Sequence, residues 1–324
     1  MLNAPKTAPC VCPRRDGFAP GTPAIHGGRL MQRVVQASLV FLFTIGAAQA
    51  AGPIVDGTWL AQYLNDKQLA IVDMTEDDLQ YRRFHIPGAV RLAYEELLKS
   101  QGPGKPAARL DAVQFGALLG RLGIARDTHV VIYDDMGGLN AGRLFLELEH
   151  IRHPKVSVLD GGLVQWVLDD RRVDNTVRLS LPLVYKVGPE RRDNLATLAQ
   201  VRRASTQTTP LLIDVRTRDE YTGTLKEQRS GHVPGAQWWP WEQAMDMDNG
   251  FTFTAPEKLE TSLAKIGARD KQTPVILYCR SGHRASQTYL SLRSLGFENV
   301  RVHTGSMLEY LQDSTAPLQR GVTP

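Results

Sequence analysis

The stretch Val275-Ile276-Leu277-Tyr278-Cys279-Arg280-Ser281-Gly282-His283-Arg284-Ala285-Ser286 decides how the rest of the chain is read. Its first four residues are apolar or aromatic, continuous and preceded by Pro274, which fits a short buried strand and lacks helical spacing. Beyond Arg284, Ala285, Tyr289, Leu292 and Leu295 fall near one helical face, and Gly296 supplies a C-terminal stop. Cys279 is therefore expected at the carboxyl end of a strand, facing a helix amino terminus across the loop Arg280–Arg284. Open α/β sheets place their ligands at such points.

Backbone N–H groups in a tight loop and in the first turn of a helix lack internal partners, so they converge on any anion in the loop. With Arg280 and Arg284 added, these surroundings favour a thiolate at Cys279. A buried structural cysteine is the alternative after an apolar strand, but two arginines within five residues argue against a dry core position. The loop spacing is C-x4-R, with Ala285 where a C-x5-R phosphatase loop would need its arginine. A cradle one residue shorter suits one added sulfur better than a tetrahedral phosphate, which counts against a phosphatase or arsenate reductase.

Cys279-Arg280-Ser281-Gly282-His283-Arg284 resembles the active loop of the rhodanese family of sulfurtransferases. The resemblance extends over most of the chain, because the chain repeats itself. Ala70-Ile71-Val72-Asp73 followed by His85-Ile86-Pro87-Gly88-Ala89 is answered by Leu211-Leu212-Ile213-Asp214 followed by His232-Val233-Pro234-Gly235-Ala236. Gly123-Ile124-Ala125-Arg126-Asp127 before Val130–Asp134 is answered by Gly267-Ala268-Arg269-Asp270 before Val275–Cys279, and Val156–Gly162 by Val300–Ser306. Three matches in one order indicate duplication, at a period too long for a solenoid and suited to tandem domains. Strands alternate with helices in each copy. Asp111 is placed to cap a helix carrying Phe115, Leu118, Leu119 and Leu122, and Thr254-Ala255-Pro256-Glu257 reads as a capping box before Leu259, Leu263 and Ile266. The expected class is α/β: a tandem rhodanese-like duplication, each copy a parallel sheet covered by helices on both faces.

The expected boundaries are a leader over 1–50, a first copy over 53–172, a linker over 173–195 and a second copy over 196–324. In the leader, Arg29 and Arg33 precede an apolar run from Val34 to Ala48 that ends in Ala48-Gln49-Ala50, the pattern of a secretory signal peptide, with Met31 as a natural start. The run is short for a membrane span. A periplasmic or secreted protein follows, and Cys10 and Cys12 carry no metal or redox role. The full chain has 38 basic and 34 acidic residues; five basic residues and one acidic residue lie in the first fifty, so the remainder is formally neutral. Composition gives no support for nucleic-acid or anionic-membrane binding. Beyond residue 50 Cys279 is the only cysteine in the sequence, so no intramolecular disulfide is available and catalysis accounts for a lone thiol.

The first copy has Asp134 where the second has Cys279. A carboxylate cannot carry a transferable sulfur, so the first copy is expected to be catalytically silent and to cover one side of the second copy's loop. A metal at Asp134, Asp135 and Asp160 is the weaker alternative. Asp214 with Arg216, and His232 with its counterpart His85, read as fold-holding residues. Of Trp238, Trp239 and Trp241, at least one is expected at the pocket mouth or between domains.

What the resemblance implies is a ping-pong sulfur transfer. Cys279 is the catalytic nucleophile, attacking the outer sulfur of thiosulfate, releasing sulfite and forming a persulfide that cyanide, a thiol or a protein cysteine then accepts. Arg280, Ser281, Gly282, His283 and Arg284 form the substrate-binding loop, with both arginines on the sulfonate and N–H groups on the outer sulfur. No metal or other cofactor is called for. Arg280 directly after the cysteine is similar to the thiosulfate-using type, whereas 3-mercaptopyruvate sulfurtransferases tend to have Gly there. Glu220 departs from the pattern, since thiosulfate enzymes of this kind usually carry an Arg just before the tyrosine. A persulfide carrier delivering sulfur to a partner protein is the other reading.

Overall fold

Residues 51–324 are described by a computed structural model. The leader, with its expected signal peptide, start and cysteine pair, lies outside the described residues. The β-branched and aliphatic runs of each repeat form the centre of a parallel sheet. In the first half the order is Ile54–Val55, Val156–Leu159, His129–Tyr133, Leu69–Asp73, Val90–Arg91. In the second it is Val300–Val302, Val275–Tyr278, Leu211–Asp214, Gln237–Trp238. A single parallel bridge, Leu195 to Val302, stands where the first half has its edge strand.

One hydrophobic core runs through both halves, from Val72, Ile132 and Leu144 to Ile213, Leu277 and Leu290; a smaller cluster covers the outer face of each sheet. The halves meet where helix Ala141–His150 lies on helix His283–Ser294. A Cβ on Gly142 would stand 2.8 Å from Cα of Gln287, so only glycine allows this approach. The first turns of the two helices are thereby pressed together, beside the Cys279 loop.

Local sequence explains most helix starts. Asp111 accepts from Gln114 N–H (2.8 Å) while the Gln114 side chain accepts from Asp111 N–H, and Phe115, Leu118 and Leu119 are buried as their spacing predicts. The box expected at Thr254 does not form. Ala255 is the N-cap of helix Pro256–Lys265 and Pro256 starts it with its fixed φ, while Thr254 N–H is committed to Ala244 O (3.0 Å) next to a small hairpin. The stretch over 173–195, read as a linker, lies along the first half as an irregular strap. Leu183 N–H donates to Gly120 O (2.8 Å), and the buried Tyr185 hydroxyl meets His153 Nδ1 (2.8 Å). Among the described residues, no helix is long and apolar enough to cross a membrane.

Candidate active site

Strand Val275–Tyr278 is wholly buried between strands Leu211–Asp214 and Val300–Val302. Its carboxyl end delivers Cys279, which is buried (1% exposed) and packs with the shared core, so the expectation that two nearby arginines keep it out of a dry position is corrected. Cys279 N–H donates to Ser306 Oγ (3.1 Å), which itself donates to His303 O (2.7 Å). Cys279 and Arg280 carbonyls accept from Met307 and Leu308 N–H (3.1 and 3.0 Å), tying the loop to helix Ser306–Tyr310. The loop then turns at Gly282. Its φ is 85°, and a methyl there would stand 2.6 Å from Thr304 O, so the position admits only glycine. Gly282 N–H points back to Cys279 Sγ at 3.1 Å. The helix begins at His283, two residues before Ala285, so His283 and Arg284 belong to its first turn rather than to the loop.

The two loop arginines separate. Arg284 is partly buried and makes a bidentate pair with Glu220 (2.7 and 2.9 Å). Burial alone would lift the Glu220 carboxyl, but the guanidinium overcomes it and holds the pKa at about 2. Burial lowers the Arg284 pKa and Glu220 raises it, with Cys279 adding to the rise; the net direction is up, so the thiol lies within electrostatic reach of this cation. Arg280 is exposed and lines a cleft of about 580 Å³ with Arg216, Glu220 and Arg229 that does not include Cys279. Both arginines were expected on the donor's sulfonate, and the two are placed differently. One loop cation lies near the thiol, already held by a carboxylate, and the other faces outward.

His283 turns toward the first half. Its Nε2 meets Asn140 Oδ1 (2.8 Å) and its ring lies 4.0 Å from that of Tyr94. Burial first, then Arg143 and Arg284, bring its pKa down to about 4, so the ring is neutral at neutral pH. Ser281 is half-buried with no side-chain hydrogen bond among the described residues. Asp214 pairs bidentately with Arg216, which also donates to Gly231 O (2.8 Å), as a fold-holding reading requires. His232 and His85 are equivalent turn residues. Their Nδ1 atoms lie 2.8 and 2.7 Å from the carbonyls of Tyr221 and Tyr81, on whose rings they stack. Trp239 is buried with Nε1 on Ser262, Trp238 donates to Arg216 O beneath Arg218, and Trp241 packs on the core. The aromatic beside the active loop is Tyr94, from the other half, which the sequence reading did not single out. Among the described residues no cluster suited to a metal ion occurs. Asp134 is engaged by its own loop, Asp135 caps Glu76 N–H and Asp160 takes Phe253 N–H.

Comparison with known proteins agrees with this architecture. The family model of the rhodanese-like domain matches residues 56–169 and again 197–313. The chain belongs to the rhodanese family. A thiosulfate sulfurtransferase of Corynebacterium glutamicum is 32% identical over 286 residues, covering 83% of this chain and 90% of that one. SseA of Escherichia coli, a 3-mercaptopyruvate sulfotransferase, superposes with a TM-score of 0.69 at 27% identity, over 79% of this chain and 99% of SseA. The anaerobic ergothioneine biosynthesis enzyme of Chlorobium limicola shares the fold, with a TM-score of 0.73 at 20% identity over 83% of this chain and 70% of that one. This two-domain rhodanese is a sulfurtransferase, acting between a sulfur donor and an acceptor.

Four residues near the Cys279 loop escaped the sequence reading as its neighbours: Tyr94, Asn140, Arg143 and Ser306. Ser306 was visible only as the last position of a repeat motif whose counterpart is Gly162. The other three lie in the copy without the cysteine, and nothing local marks which side of that copy turns toward Cys279.

Proposed function

We propose that the protein moves a sulfane sulfur from thiosulfate, through a persulfide on Cys279, to a thiophilic acceptor such as cyanide or a thiol. The observation that carries this reading is Gly282 N–H aimed at Cys279 Sγ at the mouth of a helix first turn, with Arg284 close by. In the first half-reaction the Cys279 thiolate attacks the outer sulfur of thiosulfate. A new S–S bond forms, the old one breaks with its electron pair leaving on sulfite, and Cys279 retains one extra sulfur as a persulfide anion. In the second, cyanide attacks that sulfur, forming thiocyanate and returning the thiolate. No net proton moves in either step. The neutral His283 serves as a spacer and hydrogen-bond partner of Asn140 rather than as a base.

The name of the Corynebacterium relative and the Arg280 after the cysteine support thiosulfate. The likeness to SseA supports 3-mercaptopyruvate as the second reading, since Glu220 occupies a place where thiosulfate enzymes usually have an Arg. In this proposal the first copy is silent and roofs the loop through Tyr94 and Asn140, and the protein works after export, directed by the segment before residue 51. Amino-terminal sequencing of protein from the cell envelope tests export, and a chain beginning at Met1 in the cytoplasm would end that part of the reading.

The direct test is steady-state thiosulfate:cyanide kinetics with mass spectrometry of the resting protein. Parallel-line ping-pong kinetics and a persulfide mass increment, both abolished in Cys279→Ala, are expected. A persulfide with turnover only in the presence of a protein thiol would favour a carrier. Turnover with 3-mercaptopyruvate and none with thiosulfate would replace the donor.

A further inference from the structure

The half of the molecule without the cysteine buries a cation next to the active loop. Arg143, in the first turns of helix Ala141–His150, is 1% exposed, yet its Nη2 has no hydrogen-bond partner. Its Nε donates to Glu147 Oε1 (2.9 Å), and the same Glu147 is held bidentately by Arg109, Nε on Oε1 (3.0 Å) and Nη2 on Oε2 (2.5 Å). Two guanidiniums share one carboxylate, so the group carries one uncompensated positive charge, with Arg143 and Glu147 buried and only Arg109 partly exposed. A buried donor left unmade is costly, and a buried net charge more so, unless something occupies the space beside it.

Arg143 lies within electrostatic reach of His283 and Tyr94, the two rings beside the Cys279 loop. Gly142 brings the backbone next to Arg143 against the first turn of the Cys279 helix, at Ser286 and Gln287. Asn140, one turn earlier, already reaches His283, whose ring lies tilted against that of Tyr94. Burial pushes the Tyr94 hydroxyl up to about 12, with Arg143 opposing the shift and Cys279 adding to it, so both lie within electrostatic reach of this one side chain. Arg143 and the Tyr94 hydroxyl are close enough to shift one another, yet no hydrogen bond of ordinary geometry joins them and Nη2 has no partner among the described residues.

We propose that Arg143 binds the anionic end of the sulfur donor, the sulfonate of thiosulfate or the carboxylate of 3-mercaptopyruvate, across the interface between the two copies. It takes the part that the outward-facing Arg280 cannot play. The inference rests on the reading of Cys279 as acceptor of sulfur from an anionic donor, and it leaves the choice of donor open. An oxyanion there pairs the spare charge, satisfies Nη2 and positions the donor against the Cys279 loop. The copy that cannot carry sulfur thus contributes half of the donor site.

The test uses the full chain, with Arg143→Met and Arg143→Lys, and both half-reactions measured separately. Arg143→Met leaves the Arg109–Glu147 pair intact and neutral, so no buried charge is orphaned. A lost charge-assisted bond to a desolvated anion corresponds to a fall of about 10- to 100-fold in kcat/KM for the donor. That fall is expected for thiosulfate and for 3-mercaptopyruvate alike, carried mainly by KM, with kcat/KM for cyanide unchanged because the persulfide is discharged without the donor. Retention of donor kcat/KM within twofold, or an equal fall in both half-reactions, overturns the proposal. If Arg143→Met does not fold, Arg143→Lys decides, because it keeps the charge and loses the second N–H arm; unchanged donor KM there is equally fatal. If the unmutated protein uses 3-mercaptopyruvate and not thiosulfate, the thiosulfate reading fails while the same measurement on 3-mercaptopyruvate still judges Arg143.

Discussion

Asp134 and Cys279 stand at the ends of equivalent strands, and the difference between them lies in what fills the ring of N–H groups that each faces. The Asp134 carboxylate accepts from Met136 and Gly138 on Oδ1 (3.0 and 2.9 Å) and from Asn140 and Ala141 on Oδ2 (2.8 and 2.9 Å). Burial raises its pKa, with Asp135 adding to the rise, while the N–H groups of Ala141, Met136 and Gly138 oppose it. Its cradle is closed by a tethered anion of its own. Cys279 Sγ takes only Gly282 N–H, and the first-turn N–H groups from His283 onward have no acceptor within their helix. The fold builds an anion cradle twice. In one copy the chain satisfies it with its own carboxylate, and in the other, on the function proposed above, it serves a sulfur atom that is added and removed.

The sharpest way to break that contrast is Asp134→Asn. An amide presents only one acceptor, so its NH₂ would face two N–H donors, leaving both unpaired in a buried loop. At roughly 1–3 kcal/mol for each unsatisfied buried group, a loss of about 3 kcal/mol in unfolding free energy is expected, read by urea denaturation. The equivalent isosteric change in the other loop, Cys279→Ser, should cost under about 1 kcal/mol while removing sulfur transfer altogether. Similar stability losses in the two variants would show that the cradles are not differently filled.

His283 gives a second contrast, this time through pH. His283 is neutral, with a pKa brought down to about 4 by burial and by Arg143 and Arg284. The unfolded chain takes up a proton at about 6.5 and the folded one does not until about 4. Stability is therefore complete above pH 6.5 and declines as pH falls toward 4. Between pH 7 and 4 the unmutated protein should lose about 2–3 kcal/mol more than His283→Gln, whose amide retains a donor for Asn140. Equal acid sensitivity in the two proteins would mean that the imidazole is not buried in the neutral form. Thiosulfate kcat/KM should show no inflection assignable to His283 between about pH 6 and 8.

How far these features were legible in the sequence depends on whether they are local. Cys279, its strand, the helix after it and the Gly296 stop could be read because each is set by neighbours a few residues away, and the repeat made the parallel-sheet architecture readable in both halves. The capping box at Thr254 failed because Pro256 at the first helical position and the hairpin bond of Thr254 compete with it. The opposed directions of Arg280 and Arg284 were not readable, since Glu220, more than sixty residues earlier, selects which guanidinium turns inward. Tyr94, Asn140 and Arg143 depended on the packing of one copy on the other, which Gly142 permits but does not announce.

Glu220 itself sharpens the comparison of the two arginines. If it holds Arg284 in position beside Cys279, Glu220→Gln should lower donor kcat/KM about tenfold, a difference of about 1.4 kcal/mol, with little change in cyanide kcat/KM. The corresponding change at the other loop arginine, Arg280→Gln, should move donor kcat/KM less than about threefold. The acid behaviour supplies a control. A carboxyl depressed to about 2 contributes stability that is present above its ordinary value near 4.5 and is lost as pH falls through about 2. The stability gap between Glu220→Gln and the unmutated protein should therefore persist at about pH 4 and close only toward pH 2. Equal kinetic effects at Glu220 and Arg280 would remove the distinction drawn between the loop arginines.

The smallest effect concerns Ser306, the counterpart of Gly162. Both positions have left-handed φ, 48° and 52°. At Gly162 a methyl would lie 2.1 Å from Asp134 O, so no side chain fits, whereas Ser306 keeps a hydroxyl whose oxygen accepts the Cys279 N–H. A non-glycine residue in this conformation costs about 1 kcal/mol, and the hydrogen bond offsets it. Ser306→Ala keeps the strain and loses the bond, so about 1–2 kcal/mol of stability and a few-fold of donor kcat/KM should go. Ser306→Gly loses the bond but releases the strain, so its stability should lie above that of the alanine variant while its kcat/KM stays equally low. Stability and activity then separate, which is the mark of a residue kept strained to hold the nucleophile. If glycine restores both, the hydroxyl has no part in placing Cys279, and the first copy's Gly162 is simply the less strained solution to the same turn.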